Sequence, residues 1–210
     1  MSITSDSKFL FESLETRYSE YIASLKDISY NESDDRYFIE MDFQSLHFDK
    51  IPALMADGYE NEKSFSVDTL IYSPENDCLY LLEFKENWPK KSGPEIRLKC
   101  YDSISKLCLF WINVLGKCRT DFFNLTIKYC LITRSTHKVC HSSFLTALNS
   151  SREVFQLKML ENTIVSQTRI LVTPDSIFKF LSNITNVKEM KYIYPDKTEN
   201  IFSTPLEDVA

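Results

Sequence analysis

Two apolar segments separated by a short turn each carry acidic side chains. Asp68 lies within residues 65–72, and the triplet Glu83-Phe84-Lys85 ends the next apolar segment. Two carboxylates and an ammonium on one face of a sheet are suited to a divalent cation and to a transition state that gains negative charge. These residues therefore predict phosphodiester hydrolysis that depends on Mg²⁺ or Mn²⁺.

The turn between the segments predicts how they pair. Residues 74–77 read Pro-Glu-Asn-Asp, which are turn-forming types. We therefore expect a four-residue hairpin loop in which Ser73 and Cys78 are the last paired residues. This pairing sets the register of the whole hairpin.

The register brings the chemical groups together. It places Asp68 opposite Glu83 and Ser66 opposite Lys85, and opposed residues share a face with Cβ atoms about 5 Å apart. Asp68 and Glu83 could then bind the cation with their carboxylates, and the carbonyl of Phe84 is placed to add a third oxygen. Lys85 could orient a water molecule or stabilise the developing charge.

Asp68, a spacer of 14 residues and Glu83-Phe84-Lys85 resemble the signature of the PD-(D/E)XK nuclease superfamily. That superfamily includes type II restriction endonucleases, Holliday-junction resolvases, and RecB-type or lambda-type exonucleases. The resemblance implies an α/β, restriction-endonuclease-like fold, with a mixed sheet flanked by helices in an order close to αβββαβ. It also implies that Asp68 and Glu83 bind the metal and that Lys85 is the catalytic lysine. One departure is Val67, which stands where the signature has proline.

Two other interpretations remain open. The charged cluster could be a solvated, exposed hairpin face, although two carboxylates directly opposite each other destabilise a sheet unless something neutralises them. Alternatively, the chain could be a binding or assembly module that retains a nuclease-like fold without cutting.

The rest of the pattern predicts one α/β domain over residues 1–184 and a polar tail or arm over 185–210. We expect helices over 6–26, 95–115, 142–150 and from Pro174 to about Leu181. Strands are expected over 37–43, 125–133, 154–160 and 170–172, with a turn at Asp57-Gly58.

Several accessory residues are candidates. Many members of the superfamily place a helical glutamate near the metal, and Glu15 shares a helix face with Phe11 and Tyr18. Glu40, in the expected early strand, competes for the same role.

The helix after the hairpin carries basic residues. RecB-type nucleases often have Gln-x-x-x-Tyr there, and Arg97 and Tyr101 stand at the matching spacing. Lys99 and Lys106 could contact phosphate instead, and ordinary surface charge is the alternative for each of these basic residues.

The loop that follows Lys85 contains Lys90 and Lys91 beside Trp88. Lysines next to an aromatic ring could bind phosphate and stack a base.

Composition limits the function classes. The 210 residues have a net charge of −6 and only three glycines, and the chain has no phosphate-binding Gly motif. No apolar run of about 18 residues and no signal-peptide pattern is present, so we expect a soluble, cytoplasmic protein without a membrane role. The six cysteines are expected to be reduced.

The acidic balance argues against strong nucleic-acid binding by the chain alone. We therefore expect a protein partner or a homodimer to complete the binding surface. The expected role is a subunit of an antiviral defence, restriction or repair assembly. DNA is favoured over RNA as the substrate, and endonuclease over exonuclease activity.

Overall fold

A computed structural model describes residues 5–52, 65–86, 93–134 and 155–204. Within these ranges the chain is mixed α/β, as the sequence predicts, with one six-stranded sheet, one three-stranded sheet and flanking helices. None of the helices in these ranges is long and apolar enough to cross a membrane.

The described part of the chain contains five α-helices and nine strands. The helices are α1 (Asp6–Arg17), α2 (Leu25–Ile28), α3 (Gly93–Leu109), α4 (Arg119–Phe122) and α5 (Pro174–Thr185). A π-helical turn, Phe110–Val114, follows α3 directly. The strands are β1 (Ile22–Ser24), β2 (Ile39–Glu40), β3 (Gln44–His47), β4 (Thr69–Ser73), β5 (Cys78–Lys85), β6 (Ile127–Thr133), β7 (Gln167–Leu171), β8 (Glu189–Ile193) and β9 (Glu199–Ser203).

The six-stranded sheet has the order β1-β3-β4-β5-β6-β7. Neighbours are antiparallel from β1 to β5, whereas β5, β6 and β7 are parallel to one another. Apolar side chains of α1, α3 and the π-helical turn pack on one face of this sheet. Residues of α2, α5 and the three-stranded sheet β2-β8-β9 pack on the other face. The sheet is therefore covered on both sides.

The predicted hairpin is confirmed. Ser73 pairs with Cys78 and Thr69 pairs with Leu82 in the expected register. Pro74 opens a short 3₁₀ turn, and Asp77 closes it with φ at 44° and ψ at 54°, a left-handed conformation that aspartate tolerates better than most residues. The turn types therefore fix the register, as the sequence indicates.

The expected helix over 6–26 is wrong in length. Ser5 caps α1 by accepting a hydrogen bond from the N–H of Lys8, but α1 ends at Arg17. Ile22–Ser24 instead form β1 and pair with β3. The helical spacing of apolar residues continues past Arg17, so tertiary pairing overrides the local pattern here.

The expected strand over 37–43 is also wrong in its extent and its position. Residues 37–43 contribute only β2, which pairs with β8 in the small sheet. The strand next to β4 is β3, which the sequence pattern did not reveal.

Two predictions for the later part of the chain are wrong. Within the expected strand 154–160, Gln156 has φ at 52° and Leu157–Leu160 form a 3₁₀ helix that turns Leu157 and Leu160 into the core. The expected polar tail instead contains β8 and β9, because Met190 and Tyr192 are buried between polar neighbours.

The remaining predictions for the later elements fare better. Strand β6, helix α3 and helix α5 lie where expected, and β7 covers more residues than 170–172. The expected turn at Asp57-Gly58 and the expected helix 142–150 lie outside the described residues.

Candidate active site

The predicted site residues lie at one end of the β4–β5 hairpin. Asp68 directly precedes β4, and Glu83, Phe84 and Lys85 occupy the last three positions of β5. The alternation of β5 turns Leu79 and Leu81 into the core that α3 covers, so Glu83 and Lys85 face α3 as well. The structure therefore brings the three predicted groups to one face.

Asp68 is held by the backbone of the neighbouring strand. Its Oδ2 accepts a hydrogen bond of 2.6 Å from the N–H of Phe84. The ladder between β4 and β5 ends at Thr69 and Leu82. The expected pairing of Asp68 with Glu83 therefore does not form, although the two side chains still meet at this end of the hairpin. The N–H of Val67 turns away and donates to Ser103 Oγ at 3.0 Å.

The same departure from the ladder affects two neighbouring expectations. The expected pairing of Ser66 with Lys85 does not form, because Ser66 precedes β4 and its hydroxyl bonds to the carbonyl of Phe48. The N–H and C=O of one residue in an extended strand point to the same edge. The Phe84 carbonyl therefore faces the edge where Asp68 lies.

Lys99 reaches into the site from α3. Its Nζ lies 2.8 Å from both carboxylate oxygens of Glu83 and 3.4 Å from Oδ1 of Asp68. Lys85 lies 3.1 Å from Glu83 and 3.0 Å from Glu95. Two ammonium groups therefore offset the two buried carboxylates, and the cluster is not a solvated hairpin face.

Burial and mutual repulsion shift the acid–base equilibria of this pair. Burial, reinforced by the nearby charge of Asp68, raises the pKa of Glu83 to about 8. Burial also raises the pKa of Asp68, although Lys99 and the Phe84 amide oppose the shift. For Lys85, burial lowers the pKa, but Glu83 and Glu95 outweigh it and the net shift is upward. The pair therefore favours either a shared proton or a nearby cation.

One stripe of α3 serves the whole site. Glu95, Lys99 and Ser103 are spaced by four residues, so they project from one side of the helix. They contact Lys85, the carboxylate pair and the Val67 amide respectively. The sequence analysis named Lys99 only as a possible phosphate contact, and the structure instead pairs it with the two acids. The signal that could have found it is this spacing of polar residues on an otherwise apolar helix face.

Two buried hydroxyls lie on the same face, on the neighbouring strand β6. Thr133 pairs with Lys85 across the parallel ladder, and Tyr129 pairs with Leu81. Neither Thr133 Oγ1 nor Tyr129 Oη has a hydrogen-bond partner within the described ranges. Burial, with Glu83 nearby, raises the pKa of Tyr129. Both residues lie in a largely apolar strand, where nothing in the sequence marks them as part of a site.

The donor set fits a small hard cation. Asp68 and Glu83 offer carboxylate oxygens to one point, and the Phe84 carbonyl lies on the same edge, which suits Mg²⁺ or Mn²⁺ completed by water and phosphate. In the described ranges no group of three or more His, Cys, Asp or Glu side chains comes together. Comparisons of the chain with protein-family models, curated proteins and solved structures gave no match.

The acidic accessory candidates lie apart from the site. Glu15 is partly buried on α1, where burial and then Glu12 raise its pKa. In the described part of the chain, no hydrogen bond or ion pair joins it to Asp68 or Glu83. Glu40 lies on β2 and is paired with Lys26 at 3.1 Å and Lys191 at 3.4 Å.

The basic candidates divide into three groups. Arg97 Nη1 donates to the carbonyl of Phe155 at 2.9 Å, while Tyr101 is exposed on α3. Lys106 is buried rather than on the surface. Lys90 and Lys91 lie outside the described residues.

Proposed function

We propose that this chain is a metal-dependent nuclease of the PD-(D/E)XK type that hydrolyses phosphodiester bonds in DNA. The observation that carries the proposal is the convergence of Asp68, Glu83 and Lys85 at the end of one hairpin. The carboxylates of both acids contact the same ammonium, and Lys85 lies 3.1 Å from Glu83.

The order of elements supports a restriction-endonuclease-like fold. In chain order, α1 comes before β3, β4 and β5, and these three strands are antiparallel neighbours. Helix α3 and strand β6 follow, and β6 is parallel to β5. Apart from β1, α2 and β2, which lie between α1 and β3, this order supports the αβββαβ arrangement that the resemblance implies. The site lies at the carboxyl end of β5, beside the parallel pair.

Each residue has a chemical role in the proposed reaction. Asp68 and Glu83 would hold Mg²⁺ or Mn²⁺, which offsets charge on the phosphate and lowers the pKa of a bound water. The amide of Phe84 keeps Asp68 oriented, and burial excludes water from Glu83. Lys85 remains an ammonium and donates hydrogen bonds to the attacking water or to the phosphoryl oxygens as charge develops.

Cleavage of supercoiled plasmid, linear duplex and single-stranded DNA with Mg²⁺ or Mn²⁺ tests the proposal. We expect Glu83→Gln and Lys85→Met to lose at least about 100-fold in rate, as removal of a charge-stabilising group does. Glu75→Gln and Lys128→Met are matched controls, since they change the same charges away from the site. Cleavage that survives both site variants would refute the assignment.

One observation favours a second function, a non-catalytic binding or assembly module. Lys99 already neutralises the carboxylate pair, and the net charge of −6 opposes binding to DNA. A wild-type protein that cuts none of the three substrates with either metal, and that co-purifies with a stoichiometric protein, would support the module instead. The same co-purification tests the expected partner or homodimer.

A further inference from the structure

The ammonium of Lys99 lies between the two carboxylates of the candidate site. Its Nζ makes hydrogen bonds of 2.8 Å to both oxygens of Glu83 and a longer contact of 3.4 Å to Asp68. Its ammonium also lies 5.6 Å from the centre of the Phe65 ring, within the range of a cation–π contact. The ammonium is therefore positioned by three neighbours rather than free in solvent.

A divalent cation would need the same oxygens. Mg²⁺ binds carboxylate oxygens at about 2.0–2.1 Å, so an ion between Asp68 and Glu83 would occupy the space that the ammonium fills. Two cations a few ångströms apart also repel each other strongly in a buried site. The metal and the ammonium of Lys99 cannot both bind the carboxylate pair in this geometry.

We propose that Lys99 is a built-in counter-ion that a catalytic metal must displace. This inference rests on the proposed metal site and adds a competitor from the chain itself. Without metal, Lys99 keeps Asp68 and Glu83 together and offsets their repulsion. With metal, the flexible lysine side chain withdraws while α3 stays in place, so displacement requires no backbone change.

The competition has a measurable consequence for metal affinity. Replacing Lys99 by methionine keeps an unbranched side chain that is one atom shorter and removes its charge, so the metal no longer has to displace a bound cation. Lys99→Arg keeps a cation in the site and should keep the weak affinity. Lys128→Met is the matched control, because Lys128 is a strand residue on the opposite face of the sheet, beside Tyr80.

Titration of Mn²⁺ into each full-length protein at pH 7.5, followed by calorimetry and by the electron paramagnetic resonance of free Mn²⁺, tests the inference. We expect Lys99→Met to bind at least about tenfold more tightly than wild type, within the range usual for coupled sites. Lys99→Arg and Lys128→Met should bind as wild type does. Thermal unfolding in EDTA checks that each variant is folded.

The outcomes separate the two proposals. Equal affinity in wild type and Lys99→Met, with binding lost in Asp68→Ala, would overturn the displacement by Lys99 and leave the metal site standing. If folded Lys99→Met and folded wild type both fail to bind Mn²⁺, the metal site and the displacement are overturned together.

Discussion

The backbone N–H of Phe84 donates a 2.6 Å hydrogen bond to Oδ2 of Asp68. Phe84, which stands between Glu83 and Lys85 in the triplet, therefore holds the carboxylate of Asp68 in place. The bond forms because the β4–β5 ladder ends before Asp68. The N–H of Phe84 therefore has no backbone partner on β4 and donates to the Asp68 carboxylate instead. A side chain held in this way loses little conformational entropy when it binds a cation.

Substitutions at Asp68 separate its charge from its role as an acceptor. Asp68→Asn and Asp68→Ala both remove the carboxylate, so both should abolish Mn²⁺ binding. Only Asn retains an oxygen that can accept from the Phe84 amide. We expect Asp68→Asn to be more stable than Asp68→Ala by roughly 1–3 kcal/mol, the cost of an unsatisfied buried donor. Urea unfolding measures the difference, and equal stabilities would show that the hydrogen bond contributes nothing.

The pH dependence of stability should report the buried state of Glu83. Its pKa in the folded protein is about 8, above the usual value of 4.5, so between these values the folded state binds more protons than the unfolded state. Stability must therefore fall as the pH rises through this window, by at most about 1.4 kcal/mol per pH unit for one proton.

Urea unfolding in EDTA across this window checks the effect by comparing wild type with Glu83→Gln. The wild type should lose stability relative to Glu83→Gln up to about pH 8, and the difference should be constant above it. Glu75→Gln, in the hairpin turn, is expected to show no such trend. A flat difference for Glu83→Gln would contradict the predicted shift.

Lys106 should act as a structural donor. Its ammonium donates to the carbonyls of Phe48 and Ile51 at 2.7 and 2.6 Å and contacts Ser66 Oγ at 3.3 Å. It therefore links chain segments on both sides of residues 53–64. Lys106→Met leaves both carbonyls without this donor, and we expect a loss of roughly 1–3 kcal/mol in unfolding free energy.

The lowered pKa of Lys106 predicts that its contribution to the unfolding free energy changes with pH in the direction opposite to that of Glu83. Burial lowers its pKa to about 7 from 10.5, so the unfolded state binds more protons between these values. Stability of the wild type relative to Lys106→Met should thus rise with pH across this window. Unfolding curves at several pH values measure it, with Lys128→Met as the control. A difference that declines with pH would contradict the lowered pKa of Lys106.

Arg134 and Glu86 form a bidentate ion pair outside the site. Arg134 Nε and Nη2 each lie 2.7 Å from the Glu86 carboxylate, and the guanidinium stacks on Phe38. Arg36 Nη2 also lies 3.0 Å from the Glu86 carboxylate, so Glu86 keeps one cationic partner when Arg134 is replaced. We therefore expect Arg134→Met to cost about 1.5–3 kcal/mol, the range for lost hydrogen bonds to a charged group. The double variant Arg134→Met/Glu86→Gln should recover part of this loss. A double-mutant cycle without coupling would argue that the pair is not formed.

The parts of the fold that local sequence determines were predictable. The turn residues between Ser73 and Cys78 set the hairpin register, and Pro174 begins α5 as expected. The same register brings Asp68 close to the end of β5, where Glu83 and Lys85 lie, although the ladder itself ends at Thr69 and Leu82. These features depend on residues that are near one another in the chain.

The rest depends on contacts between distant residues. The end of α1 at Arg17 results from the pairing of β1 with β3, and no breaker residue marks it. The position of Lys99 depends on how α3 crosses the end of β5, which spacing alone does not fix. Likewise, β8 pairs with its neighbour β9 in the chain and with the distant β2, and only the second pairing places it in the small sheet beside β2.

The two faces of the large sheet can be covered at different times during synthesis. Among the described residues, the core beside α1 and α3, which lies next to the site, ends with Val165 and Ile170 in chain order. The opposite face is covered only after α5 and β8 have been synthesised, because residues of α5 pack on it and Tyr192 of β8 pairs with Ile39. Long-range pairing of this kind is slow and leaves apolar surface uncovered in the interval. On the ribosome, the nascent chain would therefore have a largely formed site on one face of the sheet and an exposed apolar surface, accessible to chaperones, on the other.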